Sequence, residues 1–148
     1  MAACKGGLPS SLFTTAFPFT FPLSRGVFAL CLAWGAGCPK DVARATQLAQ
    51  SSAAAGSKFG HYALGRLLFD SPGGDDGNAC RVAGLFRQAA ALNLDAGQWG
   101  VGFLHEHGVG VARNVREALH WYQLAAEQGM PWACASVAQM YALSRSPN

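Results

Sequence analysis

The 148-residue sequence has few charged residues, and they are not clustered by sign. Charged side chains make up 13% of the chain, and the formal net charge is +3. Because Lys and Arg are scattered, the sequence lacks the basic stripe typical of nucleic-acid-binding domains and the polybasic patch of membrane-surface proteins. We therefore expect no nucleic-acid partner.

Residue types that favour β-strands and long apolar runs are also scarce. No segment alternates apolar and polar residues as a half-buried strand does. The apolar run from Val27 to Trp34 is far shorter than the roughly 20 residues that cross a bilayer. The 18 glycines and many alanines favour closely packed helices, and the 51% hydrophobic content is ample for a core. We expect an all-α protein without a transmembrane span.

Cysteine motifs are missing. The five cysteines, an odd number, include no CxxC pair, so neither a zinc site nor a disulfide framework is predicted. Unpaired cysteine behaves as a small apolar residue, and free, partly buried thiols favour a reducing compartment such as the cytoplasm. An organellar targeting segment stays an alternative, because Ser, Thr, Phe and Pro dominate from Leu8 to Pro22. We favour an irregular N-terminal extension over residues 1–23.

Catalytic motifs are absent as well, including HExxH, the nucleophile elbow and the phosphate-binding loop. The local cluster that could suggest metal chemistry is His105, Glu106 and His107. In a helix, neighbours point about 100° apart and second neighbours about 200° apart, so the two imidazoles cannot converge on one ion. We predict no catalytic residue, no metal and no cofactor, and interpret His105 as a packed or capping residue.

What the sequence does contain is an internal repeat. The segment GAGCPKDVARATQLAQSSAAAG at residues 35–56 aligns without a gap with GVGVARNVREALHWYQLAAEQG at residues 108–129. The offset is about twice 36 residues, and a degraded middle copy, NACRVAGLFRQAAALN, lies at residues 78–93. A period of this length is typical of stacked helical hairpins.

Residue types that begin and end helices recur in the same frame. Asp41, Asn78 and Asn114 can each accept a hydrogen bond from a free N–H of a first helical turn. Fifteen residues later stand types that tolerate the left-handed conformation ending a helix. These are Gly56, Asn93 and Gly129. The frame predicts three helices of equal length, each of which is the second helix of a two-helix repeat unit.

The segments between these helices carry a small residue at an equivalent position. The positions are Ala29, Gly65, Gly102 and Ala138. Glycine inside a helix costs about 1 kcal/mol relative to alanine, and we expect close passage of the partner backbone to offset that cost. The unit is therefore a hairpin of about 36 residues, repeated three times and followed by a fourth first helix from Pro131 to about Ser144.

The pattern resembles the Sel1-like repeat family, which is related to tetratricopeptide repeats. The match is sharpest over residues 104–129, with the GxGV loop, Ala then Trp-Tyr, and the terminal Ala-Ala-Glu-Gln-Gly. The first copy has Leu48 and Ala49 in place of Trp-Tyr, and the middle copy has FDSPGGDDGN in place of the glycine loop. The resemblance implies an α-solenoid over residues 24–145, a right-handed superhelix of about three and a half hairpins.

The same resemblance implies a non-catalytic adaptor that binds another protein or peptide on the concave face lined by the first helices. We place on that face Phe59, Tyr62, Arg66, Phe69, Trp99, Phe103, Glu106, His107, Trp132 and Gln139. Aromatic anchors with a few polar neighbours are typical of binding hot spots, although half of them could simply pack between helices. Only Arg66 is available as a cation, so no carboxylate clamp is expected.

A second interpretation gives the chain a structural role in a larger assembly. The helix from Pro131 to about Ser144 is the first half of a hairpin, and we expect no second half after it. Trp132, Val137, Met140 and Tyr141 would therefore be partly bare unless a further repeat or a second copy packed there. Self-association through this C-terminal helix is the alternative to partner binding.

Overall fold

The structure, a computed structural model, describes residues 22–72 and 76–146. Within these ranges it contains helices and no strand, as the sequence predicts. The helices are α1 (Pro22–Trp34), α2 (Val42–Ala54), α3 (Lys58–Phe69), α4 (Asp76–Ala91), α5 (Asp95–His107), α6 (Val115–Glu127) and α7 (Pro131–Arg145). We expected an irregular extension over residues 1–23. Residues 1–21 lie outside the described residues, and α1 begins at Pro22.

Helices pack on their neighbours in chain order. Helices α1 and α2, α3 and α4, and α5 and α6 form three hairpins, and each second helix also packs on the first helix of the next hairpin. Helix α7 packs on α6 as a fourth first helix. This arrangement confirms the predicted solenoid of about three and a half hairpins.

The loops of the first and third hairpins make the same hydrogen bonds. The Asp41 N–H donates to the Leu32 carbonyl at 3.0 Å, and the Asn114 N–H donates to the His105 carbonyl at 2.9 Å. Each pair tethers the start of a second helix to the end of the first helix. The two copies seen in the sequence therefore have the same loop connection.

Two of the three predicted N-caps are confirmed. The carboxylate of Asp41 and the amide oxygen of Asn114 each accept a hydrogen bond from the N–H three residues on, at 3.0 and 3.2 Å. The prediction for Asn78 is wrong, because α4 begins two residues earlier, at Asp76. The second hairpin lacks the glycine loop of the other two, and its second helix has 16 residues instead of 13.

The predicted helix ends are confirmed. Gly56, Asn93 and Gly129 have positive φ angles of 78°, 59° and 88°, the left-handed conformation that glycine and asparagine tolerate best. Each N–H donates to a carbonyl three residues earlier at 2.9 Å. The turns between hairpins are therefore copies of one another.

The glycines at two of the four equivalent positions make room mainly for aromatic rings, and the expected close passage of the partner backbone is seen at Gly102, where a β-carbon would lie 3.1 Å from the Ala118 carbonyl oxygen. A β-carbon at Gly65 would lie 2.8 Å from the Phe86 ring, and one at Gly102 would lie 2.7 Å from the Tyr122 ring. The fourth position, Ala138, is exposed, and no helix after α7 lies within the described residues to cover it. The partner helix contributes a ring at Gly65 and at Gly102, and that contact offsets the cost of glycine.

Helix backbones do pass closely at other glycines. A β-carbon at Gly97 would lie 2.8 Å from the Ala90 nitrogen of the preceding helix. At Gly60 it would meet the backbone of Ser52 and Ala53. These glycines lie at equivalent positions 37 residues apart, where the first helix of one hairpin crosses the second helix of the hairpin before it.

Helix α7 forms one end of the described solenoid. Its Met140 packs with Ala118 and Tyr122 of α6 and is 8% exposed, so the prediction of a bare Met140 is wrong. Trp132 and Tyr141 are exposed, as expected. Two large aromatic side chains of α7 are therefore exposed at this end of the solenoid.

Candidate functional site

A shallow cleft opens between α3 and α5, the first helices of the second and third hairpins. Its volume is about 30 Å³, and it is open to solvent at its mouth. The lining residues are Tyr62, Arg66, Phe69, Phe86, Trp99, Gly100 and Phe103. Five of the ten residues that we place on the binding face thus lie together, and we call this feature the α3–α5 cleft.

One residue of the second helix differs in size between the first two hairpins. Between α1 and α3 that residue is Ala49, which packs with Ala29 and Ala63, and the two first helices pack closely. The equivalent residue between α3 and α5 is Phe86, whose ring would meet a β-carbon at either flanking glycine. The Phe86 ring lies between α3 and α5, which make few direct contacts, and it forms part of the cleft lining.

The wall on α5 is a continuous set of stacked rings. Trp99 and Phe103 stack with centroids 5.7 Å apart, and Phe103 stacks on His107 at 4.2 Å. Phe69 of α3 meets Phe103 edge to face at 5.7 Å and closes one end of the cleft. The Trp99 indole N–H donates to the Ser136 hydroxyl of α7 at 3.2 Å, which fixes the ring. These contacts hold the wall in one orientation.

Arg66 is the charged residue of the lining, and its charge is balanced. Its Nε donates to the Asp70 carboxylate at 3.2 Å, one helical turn away, with both side chains partly exposed. An exposed pair of this kind contributes little to stability. Its guanidinium also lies 5.8 Å from the Phe69 ring centroid. Burial raises the pKa of the neighbouring Tyr62 phenol, consistent with an apolar lining.

Glu106 faces the interior of the third hairpin and not the cleft. Its carboxylate accepts a 2.6 Å hydrogen bond from the Tyr122 hydroxyl. Burial raises the pKa of Tyr122, and the hydrogen bond to the carboxylate raises it further. The phenol therefore stays protonated, and Glu106 is engaged within the fold.

Three more of the residues placed on the binding face lie apart from the cleft. The backbone of Phe59 packs against Gly26 of α1, and the Lys58 ammonium lies 5.6 Å from the Phe59 ring centroid. Trp132 and Gln139 are exposed on α7, and Trp132 is 70% exposed. The structure does not bring these side chains into one site with the α3–α5 cleft.

The two histidines at the end of α5 have separate partners. The His107 Nδ1–H donates to the Phe103 carbonyl at 3.0 Å, and the His105 Nδ1 lies 3.4 Å from the Ala112 carbonyl. Within residues 22–72 and 76–146, no three His, Cys, Asp or Glu side chains are grouped as a metal site would need. The four cysteines of these ranges have free thiols. None of the helices described has the length and apolarity needed to cross a membrane.

Sequence reasoning missed three residues of the site. Phe86 and Gly100 line the floor of the cleft, and Ser136 anchors Trp99. The internal alignment contained a signal for the first of these, because Phe86 occupies the position of Ala49 in the first repeat. A change from Ala to Phe at one repeat position indicates unequal spacing between hairpins.

Comparison with known proteins identifies the repeats. Residues 26–57 and 95–130 match the Sel1 repeat family. The fold is similar to that of a protective antigen of uropathogenic Escherichia coli strains displaying an SLR fold, with a TM-score of 0.70 and 30% identity over 83% of this chain. It is also similar to a Sel1 repeat protein from Oxalobacter formigenes, with a TM-score of 0.65 and 25% identity over 95% of this chain. The chain is a Sel1-like repeat protein.

Relatives of this Sel1-like repeat protein are longer than the chain itself. It spans 26% of the Escherichia coli protein and 54% of the Oxalobacter protein. A segment of 46 residues is 46% identical to chitin synthase regulatory factor 3 of Schizosaccharomyces pombe, which is 31% of this chain and 5% of that protein. Sel1 repeat proteins are generally scaffolds for protein interaction, and their fold is typically non-catalytic.

Proposed function

We propose that this Sel1-like repeat protein is a non-catalytic scaffold that binds a segment of another protein in the α3–α5 cleft. The observation that carries the proposal is a solvent-open cleft with five aromatic side chains from two adjacent hairpins. These are Tyr62, Phe69, Phe86, Trp99 and Phe103. Rings held rigidly by their neighbours lose little entropy on binding, which is why aromatic residues dominate binding hot spots.

Two further observations support a binding role. The wall residue Phe103 is held by three ring contacts, with Phe69, Trp99 and His107, so the surface is formed before a partner arrives. The Schizosaccharomyces pombe relative is described as a regulatory factor of an enzyme and not as the enzyme. Both observations fit a protein that acts by binding another protein.

Partner capture tests the proposal. Replacing Trp99 or Phe103 with serine is expected to reduce capture of a partner from lysate at least tenfold, because each variant removes a ring from the wall of the cleft. Trp34→Ser is the matched control, since Trp34 is 55% exposed on α1, away from the cleft. Capture is measured by quantitative mass spectrometry, with helical content verified by circular dichroism. Unchanged capture by folded Trp99→Ser and Phe103→Ser variants would mean that the cleft is not the binding surface.

The alternative function is self-association through α7. Its support is the outer face of this helix, where Trp132 is 70% exposed and Leu143 is 65% exposed. Exposed apolar residues that share one helix face are candidates for a protein–protein contact. If this face pairs with a second copy, sedimentation equilibrium will give about twice the 15.5 kDa chain mass, and Trp132→Ser with Leu143→Ser will return the mass to that of one chain. A single-chain mass for the unmodified protein at high concentration contradicts this alternative.

A further inference from the structure

We propose that the α3–α5 cleft recognises one uncharged aromatic side chain of the partner segment, a proposal that rests on the function given above. The small volume of the cleft is the first argument. A volume of about 30 Å³ accommodates only a few water molecules. The occupant therefore lies against the lining instead of being enclosed by it, and a flat ring gains the most contact in that arrangement.

The lining itself favours a ring over an aliphatic side chain. Tyr62 stacks on Phe86 at 5.5 Å and Trp99 stacks on Phe103 at 5.7 Å, so the floor and the α5 wall are both built from rings. A third ring laid over the mouth of the cleft can meet the rings of both pairs in stacked or edge-to-face contact. Aromatic pairs bind more tightly than their buried area alone accounts for, which corresponds to about two- to tenfold in affinity.

The charges around the cleft argue against an anionic occupant. The Arg66 guanidinium donates to Asp70, and the Glu106 carboxylate accepts from Tyr122. His107, stacked at the rim, donates its Nδ1–H to a backbone carbonyl. The Asp95 carboxylate also acts on Tyr62. An anionic side chain entering the cleft would therefore lose water without gaining an uncommitted cation.

Small amides of single residues are suitable probes, because each presents one side chain without a net charge. Among the four tryptophan indole N–H signals in a ¹H–¹⁵N NMR spectrum, the Trp99 signal reports on the cleft, and the exposed Trp34 and Trp132 are internal references. N-acetyl-phenylalaninamide is expected to shift the Trp99 signal saturably, with at least threefold higher affinity than N-acetyl-leucinamide. N-acetyl-phenylalanine, which adds a carboxylate, is expected to bind no more tightly than its amide.

Two matched glycine variants link this binding to the geometry of the cleft. A β-carbon at Gly100 would lie 2.8 Å from the Phe86 ring and displace the floor, whereas one at Gly84 of α4 meets nothing within 4 Å. Gly100→Ala is expected to weaken binding of the aromatic amide at least tenfold, and Gly84→Ala to leave it unchanged. Equal weakening in both variants would contradict an effect of the cleft geometry.

Three results would overturn the proposal. They are equal or tighter binding of the leucine amide, tenfold tighter binding of the carboxylate probe, and the absence of any probe-induced shift at Trp99. If Trp99→Ser abolishes partner capture while no probe binds, the proposed function stands and the aromatic specificity falls. If the probe binds and capture is unaffected by Trp99→Ser, the aromatic subsite stands and the proposed partner site falls.

Discussion

Replacing Gly60 with alanine is expected to lower the free energy of unfolding by at least about 2 kcal/mol, because it forces two helices apart. The new β-carbon would meet the Ser52 and Ala53 backbone of α2, and no side-chain rotation relieves a contact with backbone. Helix α3 would have to move away from α2, which disturbs the contact between the first and second hairpins. Urea denaturation followed by circular dichroism measures the loss.

The same substitution at Gly84 is the control for Gly60→Ala. Gly84 is exposed in the middle of α4, and a β-carbon there meets nothing within 4 Å. Alanine is the better helix former, so Gly84→Ala is expected to raise the free energy of unfolding by up to about 1 kcal/mol. Opposite signs for the two variants would establish close helix contact at Gly60. A loss of similar size in both would contradict it.

The repeat frame accounts for how much of the fold could be predicted. Helix ends such as Gly56 and Gly129, and caps such as Asp41, depend on local backbone chemistry that each repeat copies. Asn78 was misassigned because α4 is longer than the frame allows. Gly60 and Gly97 occupy a second repeat position with small residues, besides that of Gly65 and Gly102. Alignment alone does not indicate which of the two positions lies against the backbone of a neighbouring helix and which lies against a ring.

The candidate site was predicted less completely than the fold for a related reason. Which residues lie on the first helices follows from the repeat period, and Tyr62, Trp99 and Phe103 were found that way. How far apart two first helices lie depends on the residue between them, Ala49 in one case and Phe86 in the other. That distance decides whether aromatic residues form an open cleft or pack in a closed contact, and a periodic pattern contains no such information.

Replacing Phe86 with alanine is therefore expected to have two effects. The ring is 4% exposed and packs in the core with Val82 and Val101, so its loss should lower the free energy of unfolding by about 3–5 kcal/mol. In the fraction that stays folded, α3 and α5 should approach each other as α1 and α3 do across Ala49. Denaturation measures the first effect, and loss of the Trp99 response to an aromatic amide measures the second.

The control for this truncation is Trp132→Ala, which removes a larger ring from a position that is 70% exposed. Surface substitutions usually change the free energy of unfolding by no more than about 0.5 kcal/mol, and we expect this variant to stay in that range and to keep the Trp99 response. Phe86→Leu restores much of the lost volume, so it should be more stable than Phe86→Ala while still lacking the aromatic floor. If Phe86→Ala were no less stable than Trp132→Ala, or kept an unaltered response at Trp99, Phe86 would not be the residue that holds the two hairpins apart.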